Sequence, residues 1–186
     1  MMEELSLHIL DLVQNSVSAG AKNIHIIIEE DSKKDVLSIE VIDDGKGMDK
    51  ETLEKAQSPF FSSKLDRRVG LGIPLLKQSA IHCDGEFRME SVPGEGTRIK
   101  AIFRSSHIDL PPMGNLENTF FTIITTIPHV NFYIKYNKDG KIFEIDTLKI
   151  KELLGGVPLT HPEVLGFLKK YIHENLKKMM EVKHEA

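Results

Sequence analysis

The residues of this chain that are most able to do chemistry fall into a few short segments. Asp11 and Asn15 are four residues apart, so on a helix they would project from the same side, about one turn from each other. A carboxylate can accept a proton, and an asparagine amide oxygen suits one position on Mg²⁺ whose other ligands are phosphates and water. The other segments contain glycines, which permit close approach of the backbone and let amides face phosphate oxygens. They are Asp43-Asp44-Gly45-Lys46-Gly47-Met48, Gly70-Leu71-Gly72 and Pro93-Gly94-Glu95-Gly96-Thr97.

The two most familiar nucleotide-binding patterns do not occur in the sequence. No Gly-x-x-x-x-Gly-Lys-Ser/Thr segment is present, which excludes a Walker-type loop. The segment from Gly70 to Leu75 lacks the third glycine of a dinucleotide fingerprint, so a Rossmann-type site is excluded as well. A helix beginning near Gly72 would still offer its N–H groups and positive dipole end to an anion.

A third pattern does fit, and its parts come in order along the chain. They are Asp11 to Ala21, Asp43-x-Gly45-x-Gly47, Pro59-Phe60-Phe61-Ser62-Ser63-Lys64, Gly70-Leu71-Gly72 and Pro93 to Thr97. This order resembles the GHKL ATPase family, which groups DNA gyrase B, MutL proteins, a heat-shock chaperone class and histidine kinase catalytic domains. The resemblance covers roughly residues 5–104. The helix around Asn15 looks most like MutL or anti-sigma-factor kinases, and the run from Phe60 to Thr97 looks most like a histidine kinase.

The resemblance implies a role for each matching residue. Asn15 would be the magnesium ligand, and Asp43 would accept a hydrogen bond from the adenine amino group, with Thr97 helping through water. Met48 would pack against the base, and Lys64 would neutralise charge on the γ-phosphate from a lid over the triphosphate. The nucleotide-binding residues implied in this way are Asn15, Ala19, Asp43, Gly45, Gly47, Met48, Lys64, Gly70, Leu71, Gly72 and Thr97. Lys64 in an exposed loop could equally be a solvated lysine.

Asp11 departs from the family pattern. Gyrase-like and MutL-like members have Glu at this position, acting as general base on water, and histidine kinases usually have Asn. Aspartate keeps the carboxylate but is one methylene shorter, so we expect Asp11 to be a catalytic residue that supports slow hydrolysis.

Two classes of function follow from the resemblance. In the first, the chain binds Mg²⁺ and ATP and transfers the γ-phosphoryl group to water or to a residue of a separate protein. In the alternative, a non-hydrolysing ATP-binding module changes lid conformation with nucleotide and so regulates a partner. No His-Glu/Asp-x-x-x-Pro phosphoacceptor pattern occurs and the Asn15 motif begins near Met1, so a protein partner is expected. MutL-like DNA handling would need a basic groove, which the net charge of −4 gives no reason to expect.

The elements that would position these residues alternate between helices and strands. Apolar periodicity predicts helices over residues 3–19 and 70–83, and residues 49–57 are a predicted short polar helix. Strand-like runs predict hairpins from 24–29 with 36–42 and from 87–91 with 97–103. The fold implied by the resemblance is an α/β two-layer sandwich of the Bergerat type, with a mixed, mostly antiparallel sheet.

A Pro pair and a glycine at 111–114 indicate a boundary between an ATP-binding domain, 1–106, and a small α+β extension, 107–186. Residues 119–127, 131–136 and 141–145 are predicted strands, and 148–154 is a predicted helix. A last helix, with Thr160 as its predicted N-cap, runs to about Glu181. Its lysine-bearing face is either solvated or a surface for homodimerisation or a partner. The sequence leaves open whether these strands extend the first sheet.

The composition of the chain limits the class of protein and the compartment in which it is expected. The chain has 186 residues, of which 40% are hydrophobic and 28% charged, enough for a packed core. No stretch reaches the roughly 18–20 apolar residues of a membrane span, and no secretory signal precedes the first helix. One cysteine, Cys83, fits a reducing compartment. We therefore expect a cytoplasmic protein that binds neither membrane nor nucleic acid.

Overall fold

The computed structural model describes residues 4–59 and 71–181, which form a helical layer packed on a six-stranded sheet. The elements, in chain order, are α1 (Leu5–Ser18), β1 (Asn23–Asp31), β2 (Val36–Asp43), α2 (Lys50–Ala56), α3 (Gly72–His82), β3 (Glu86–Val92), β4 (Gly96–Arg104), α4 (Leu116–Thr126), β5 (Asn131–Lys138), β6 (Lys141–Asp146), α5 (Thr147–Leu154) and α6 (Pro162–Met180).

The sheet is mixed, and its strand order is β3-β4-β2-β1-β5-β6. Among the described strands, β1 and β5 form a parallel pair and the other neighbours are antiparallel. The predicted α/β sandwich with a mostly antiparallel sheet is therefore confirmed. The strands from residues 107–186 extend the first sheet, because β5 pairs with β1 along its whole length. This answers the question that the sequence leaves open.

The helices cover one face of the sheet. Helix α1 contacts α3 on one side and α4 on the other, and α4 contacts α6. Strand β1 shows the reason, since Ile24, Ile26 and Ile28 are fully buried, while His25 and Glu29 on the opposite face are exposed. This alternation of period two faces one side of each strand towards the helices and the other towards solvent.

Helix α4 corrects the prediction of a strand over residues 119–127. The segment is rich in Thr and Ile, which favour strands, but its apolar side chains also recur at helical spacing. Leu116, Phe120 and Ile123 are buried on one side of the helix. The Asn115 side chain accepts a hydrogen bond from the Asn118 amide at 2.9 Å and so caps the start of the helix. Packing of an amphipathic face therefore overrides the local preference.

The N-cap of helix α6 lies one residue later than predicted. The cap is His161 rather than Thr160, and its ring nitrogen Nδ1 accepts a hydrogen bond from the Glu163 amide at 3.4 Å. Pro162 occupies the first helical position, where its missing N–H is not needed.

Across residues 4–59 and 71–181, none of the helices combines the length and the apolar character that a bilayer crossing requires.

Candidate nucleotide-binding site

A cavity of about 300 Å³ opens between α1, α2 and the ends of β2 and β4. A volume of this size is within the range of small-molecule sites, which are mostly apolar with a few placed polar groups. Six of the predicted nucleotide-binding residues line it, namely Asn15, Ala19, Asp43, Gly47, Met48 and Thr97. The other lining residues are Leu12, Ser16, Ser18, Lys46, Thr52, Ala56, Ile73, Met89 and Ile99.

The Asp43 carboxylate is held in a fixed orientation at the end of β2. Ser16 Oγ donates a hydrogen bond to Asp43 Oδ2 at 2.6 Å, and the Gly45 amide donates to Asp43 Oδ1 at 2.9 Å. Ser16 is buried on the inner side of α1, so this bond ties the helix to the strand. An ionised carboxylate has about four acceptor positions, so these two bonds leave it able to accept another from a ligand.

Ser91 joins the walls of the cavity. Its hydroxyl accepts a hydrogen bond from the Met48 amide at 2.8 Å and donates to the Gly96 carbonyl at 2.9 Å. A hydroxyl has one proton to donate, so in the 2.9 Å contact between Ser91 Oγ and Thr97 Oγ1 the proton comes from Thr97. The lone pairs of Thr97 then remain acceptors on the cavity wall, where a water or a ligand donor can reach them.

Two glycines are required by close backbone approach around Asp43. Gly47 has a φ of +66°, and a Cβ there would lie 2.0 Å from the Val92 carbonyl oxygen. Gly96 has a φ of +118°, and a Cβ there would lie 1.9 Å from the Asp43 carbonyl oxygen. Any other residue at these positions would push the strand ends apart. Gly45 is tight as well, since its Cβ would lie 2.9 Å from the Cβ of Ala19.

The other end of the cavity is formed by α1 and the start of α3. Asn15 lines the cavity, and Asp11 lies on an exposed position one turn earlier. A Cβ placed on Gly72 would lie 3.1 Å from Asp11 Oδ2, so α3 begins directly against the Asp11 side chain. Ile73, the next residue of α3, lines the cavity. In the described part of the chain no side chain caps the start of α3.

Of the other predicted site residues, four are described by the structure and are not among those that line the cavity, namely Asp11, Gly45, Leu71 and Gly72. Gly45 lies against the lining residues Ala19 and Asp43, and Gly72 lies against Asp11, in the contacts just given. Leu71 is 57% exposed and contributes instead to a neighbouring groove with Pro74 and Leu75. Lys64 and Gly70, together with the Phe60-Phe61-Ser62-Ser63 part of the same motif, lie outside the described residues.

Sequence reasoning missed two polar residues of the site. Ser16 belongs to the same helical stripe as Leu5, Ile9 and Leu12, and a polar residue on a buried stripe needs a partner, so a signal was present. Ser91 gave no such signal, because its contacts with Met48 and Thr97 depend on how β3 pairs with β4.

The residues present fit a nucleotide with its magnesium ion. The cavity walls include the apolar side chains of Met48, Met89 and Ile99, with Asp43 and Thr97 as placed polar groups. In the described residues no group of three or more His, Cys, Asp or Glu side chains could hold a metal by itself. A magnesium ion bound through the Asn15 amide oxygen would therefore take its other ligands from phosphates and water, as this hard cation commonly does.

Sequence comparison finds relatives of two kinds among known proteins. The chain is 42% identical over 109 residues to the DNA mismatch repair protein MutL of Clostridium perfringens (strain 13 / Type A), a match covering 59% of this chain and 14% of that protein. It is 29% identical over 93 residues to sporulation kinase C of Bacillus subtilis (strain 168), covering 50% of this chain and 22% of that protein. The chain thus spans less than a quarter of the length of either relative.

A crystal structure of the N-terminal domain of a DNA repair protein is also similar, at 18% identity and a TM-score of 0.49, covering 76% of this chain and 51% of that chain. Residues 3–107, more than half of the chain, match the family described as histidine kinase-, DNA gyrase B- and HSP90-like ATPase. The chain belongs to this family of ATPase domains, and ATP binding is consistent with that membership.

Proposed function

We propose that this protein binds ATP with Mg²⁺ and transfers the γ-phosphoryl group to water or to a residue of a separate partner protein. The observation that carries the proposal is the Asp43 carboxylate, oriented by Ser16 and the Gly45 amide on the wall of a cavity that Asn15 also lines. The family membership supports it.

The Asp43 end of the cavity suits adenine. The exocyclic amine of adenine can donate to the carboxylate, whereas guanine has a carbonyl oxygen at the corresponding position, which would face the Asp43 oxygens without a proton between them. The Thr97 hydroxyl provides an acceptor beside it, and Met48 packs on the base. We therefore expect a strong preference for ATP over GTP.

The Asn15 end suits the phosphates. In the proposed complex the Asn15 amide oxygen binds Mg²⁺, and the first amides of α3, beginning at Gly72, face phosphate oxygens. Asp11 would accept a proton from the attacking water. The roles of Gly70 and Lys64 beside the phosphates stay part of the proposal.

The test begins with binding. Calorimetry with ATP, GTP and ADP in the presence of Mg²⁺ should show binding of the adenine nucleotides and weak or absent binding of GTP. Incubation with γ-labelled ATP and Mg²⁺, alone and with co-purifying proteins, then shows whether label ends in inorganic phosphate, in this chain or in a partner. Absence of ATP binding contradicts the whole proposal, and binding without any transfer contradicts its catalytic part.

The second candidate is a module that binds ATP without hydrolysing it and regulates a partner through its conformation. Asp11 favours this candidate because its side chain is one methylene shorter than the glutamate that activates water in MutL-like members of the family. The Asp11→Asn variant separates the two candidates. If Asp11 is a general base, turnover falls by about 100-fold or more while the affinity for ATP changes less than about twofold. Unchanged turnover in Asp11→Asn removes Asp11 from the mechanism.

The setting of this activity is also a proposal. We place the ATP-binding domain in residues 1–106 and assign residues 107–186 to an extension that completes the sheet. The protein partner, and a homodimer formed through α6, remain candidates for that extension. ATP as substrate and a single cysteine fit a cytoplasmic location.

A further inference from the structure

A line of four hydrogen-bonded polar side chains runs from α5 to Asp44, which lies in the segment from Asp43 to Met48, here called the glycine loop. The ammonium group of Lys151 donates to the Asn131 Oδ1 atom at 2.9 Å, and the Asn131 Nδ2 atom donates to Asn23 Oδ1 at 3.0 Å. Asn23 Nδ2 then donates to Asp44 Oδ2 at 2.7 Å. The four residues come from α5, from the first positions of β5 and β1, and from the segment after β2. The line therefore begins in residues 107–186 and ends beside Asp43.

The direction of these hydrogen bonds is fixed by the groups at the two ends. An ammonium group can only donate and a carboxylate can only accept, so each of the two amides between them must accept on its oxygen and donate from its nitrogen. A cation at one end and an anion at the other polarise both amides in the same sense, which strengthens each bond. Lys151 also donates to the Val130 carbonyl at 3.1 Å, and burial lowers the pKa of its ammonium group.

Asp44 is the side-chain anchor of the glycine loop on the β1 side. Its Oδ1 atom accepts from the amides of Lys22 at 2.8 Å and Asn23 at 2.9 Å. Burial works against ionisation of Asp44, but the hydrogen bonds from Asn23 and Lys22 outweigh it and lower the pKa of this carboxyl group. The neighbouring residues on either side are Asp43 and Gly45, whose amide holds the Asp43 carboxylate. Asp44 therefore lies in the backbone between the Asp43 carboxylate and the amide that holds it.

We propose that Lys151, Asn131 and Asn23 are positioning residues for the nucleotide site, so that the C-terminal extension sets the affinity for ATP through Asp44. This inference rests on the proposed function. It also assigns to residues 107–186 a regulatory input, since any partner that moves α5 would act on the Asp43 end of the cavity through this line of bonds.

The test compares two lysines of the same helix. Lys151→Met removes the cation that begins the line, and Lys149→Met is the control, because the Lys149 ammonium lies at an exposed position 3.7 Å from Asp146. We expect Lys151→Met to weaken ATP binding about fivefold, the net effect of one typical hydrogen bond, and Lys149→Met to leave it within twofold. Lys151→Arg, which keeps a cationic donor, should recover most of the loss. The Gly45 amide resonance should shift in Lys151→Met and stay in place in Lys149→Met.

Two further variants separate positioning from general destabilisation. Asn131→Asp keeps the acceptor for Lys151 but removes the donor to Asn23, so it should weaken ATP binding as Lys151→Met does, and it replaces that variant if Lys151→Met does not fold. Asn23→Ala combined with Lys151→Met should lose no more affinity than either alone, because both break the same line. Equal affinities of Lys151→Met and Lys149→Met, or additive losses in the double variant, would overturn the inference. If either of these results is found while Asp43→Ala still weakens ATP binding in the same assay, only the inference about Lys151, Asn131 and Asn23 fails. If Asp43→Ala binds ATP normally, the proposed function fails and the inference with it.

Discussion

The two ends of the cavity are built in different ways. At the Asp43 end, the polar atoms are fixed by contacts between neighbouring strands and a buried serine, through Ser16, Ser91 and Thr97. At the Asn15 end, the side chains that we propose to act on the phosphates are carried by helices, and Asp11 is exposed there. The first end is determined by strand register, whereas the second depends on how α1 and α3 present their side chains.

This difference indicates where specificity and chemistry would reside. Groups fixed by several bonds discriminate well between ligands, because a mismatched ligand leaves buried polar atoms unpaired. Groups on exposed helix positions can change identity without disturbing the core. The family pattern fits this view, since the residue type found at the position of Asp11 differs between branches of the family. Five predictions test the comparison, from the largest expected effect to the smallest.

The Gly96→Ala variant should be destabilised by about 3 kcal/mol or more, because its Cβ would lie 1.9 Å from the Asp43 carbonyl oxygen at a φ of +118°. Gly94→Ala is the control, since Gly94 also has a positive φ, of +81°, but a Cβ there would have no neighbouring atom within 4 Å. We expect it to cost only about 1 kcal/mol. Urea unfolding measures both, and equal costs would show that the Asp43 end tolerates movement.

Asp43→Ala should lower the affinity for ATP by about 100-fold, because it removes a charged hydrogen-bond acceptor from the half-buried cavity wall. Glu90→Ala, which removes an exposed carboxylate from β3, should leave the affinity within twofold. Calorimetric titration of both variants is the measurement. An intact affinity in Asp43→Ala would contradict the assignment of this end to the base.

Asn15→Ala should weaken binding of ATP in the presence of Mg²⁺ by about tenfold and leave binding in EDTA unchanged, because the amide oxygen would contact the ion and not the base. Gln14→Ala, at the exposed neighbouring position, serves as the control. The same loss with and without Mg²⁺ would mean that Asn15 contacts the nucleotide directly, so the Asn15 end would not be a metal site.

Ser16→Ala should weaken ATP binding about fivefold, corresponding to about 1 kcal/mol, since the Asp43 side chain stays in place but loses one of the bonds that orient it. Ser18→Ala removes a hydroxyl that lines the same cavity and should have a smaller effect. If the two variants lose the same affinity, the bond from Ser16 to Asp43 adds nothing to ATP binding beyond the loss of any hydroxyl from the cavity wall.

The smallest effect on the site should come from the Asp35→Asn variant, which changes how stability depends on pH but not the affinity for ATP. Asp35 precedes β2 at the end away from Asp43, and hydrogen bonding from Ser106, helped by Arg104 and opposed by desolvation, lowers its pKa to about 2. A depressed carboxyl pKa stabilises the fold above the unfolded value near 4, and this contribution is lost as the pH falls from about 4 towards 2. Asp35→Asn should flatten the stability profile in that window. Its ATP affinity at pH 7 should equal that of the wild type, and a change there would link the two ends of β2.

Much of the fold could be predicted from sequence because its signals are local. The hairpin of β1 and β2 follows from β-branched runs around a polar turn, and the bounds of α1 and α3 follow from apolar periodicity. Residues 119–127 were predicted wrongly, since Thr and Ile favour strands locally, and only burial of Leu116, Phe120 and Ile123 against the neighbouring elements decides for a helix.

The candidate site divides in the same way. Motifs identified positions such as Asn15 and Asp43 from neighbouring residues along the chain, and the structure places both on one cavity. Ser91 and Asn131 could not be identified, because the contact of Ser91 with Met48 and that of Asn131 with Asn23 join residues distant in sequence. Asn131, for example, meets Asn23 across a separation of 108 residues. Strand register of this kind is set by the assembled sheet and leaves no trace in a short motif.

The parallel pairing of β1 with β5 has a consequence for how the molecule assembles. The hairpin of β1 and β2 closes over a short turn and can form early, whereas the β1–β5 pair must wait for a chain closure of about a hundred residues, which makes it slow. Until then β1 is an unprotected edge strand carrying a run of isoleucines, the kind of surface that pairs with other chains. During synthesis this edge stays exposed until β5 has emerged. The chain is therefore most open to aggregation between the synthesis of β1 and that of β5, and a chaperone would protect it in that period.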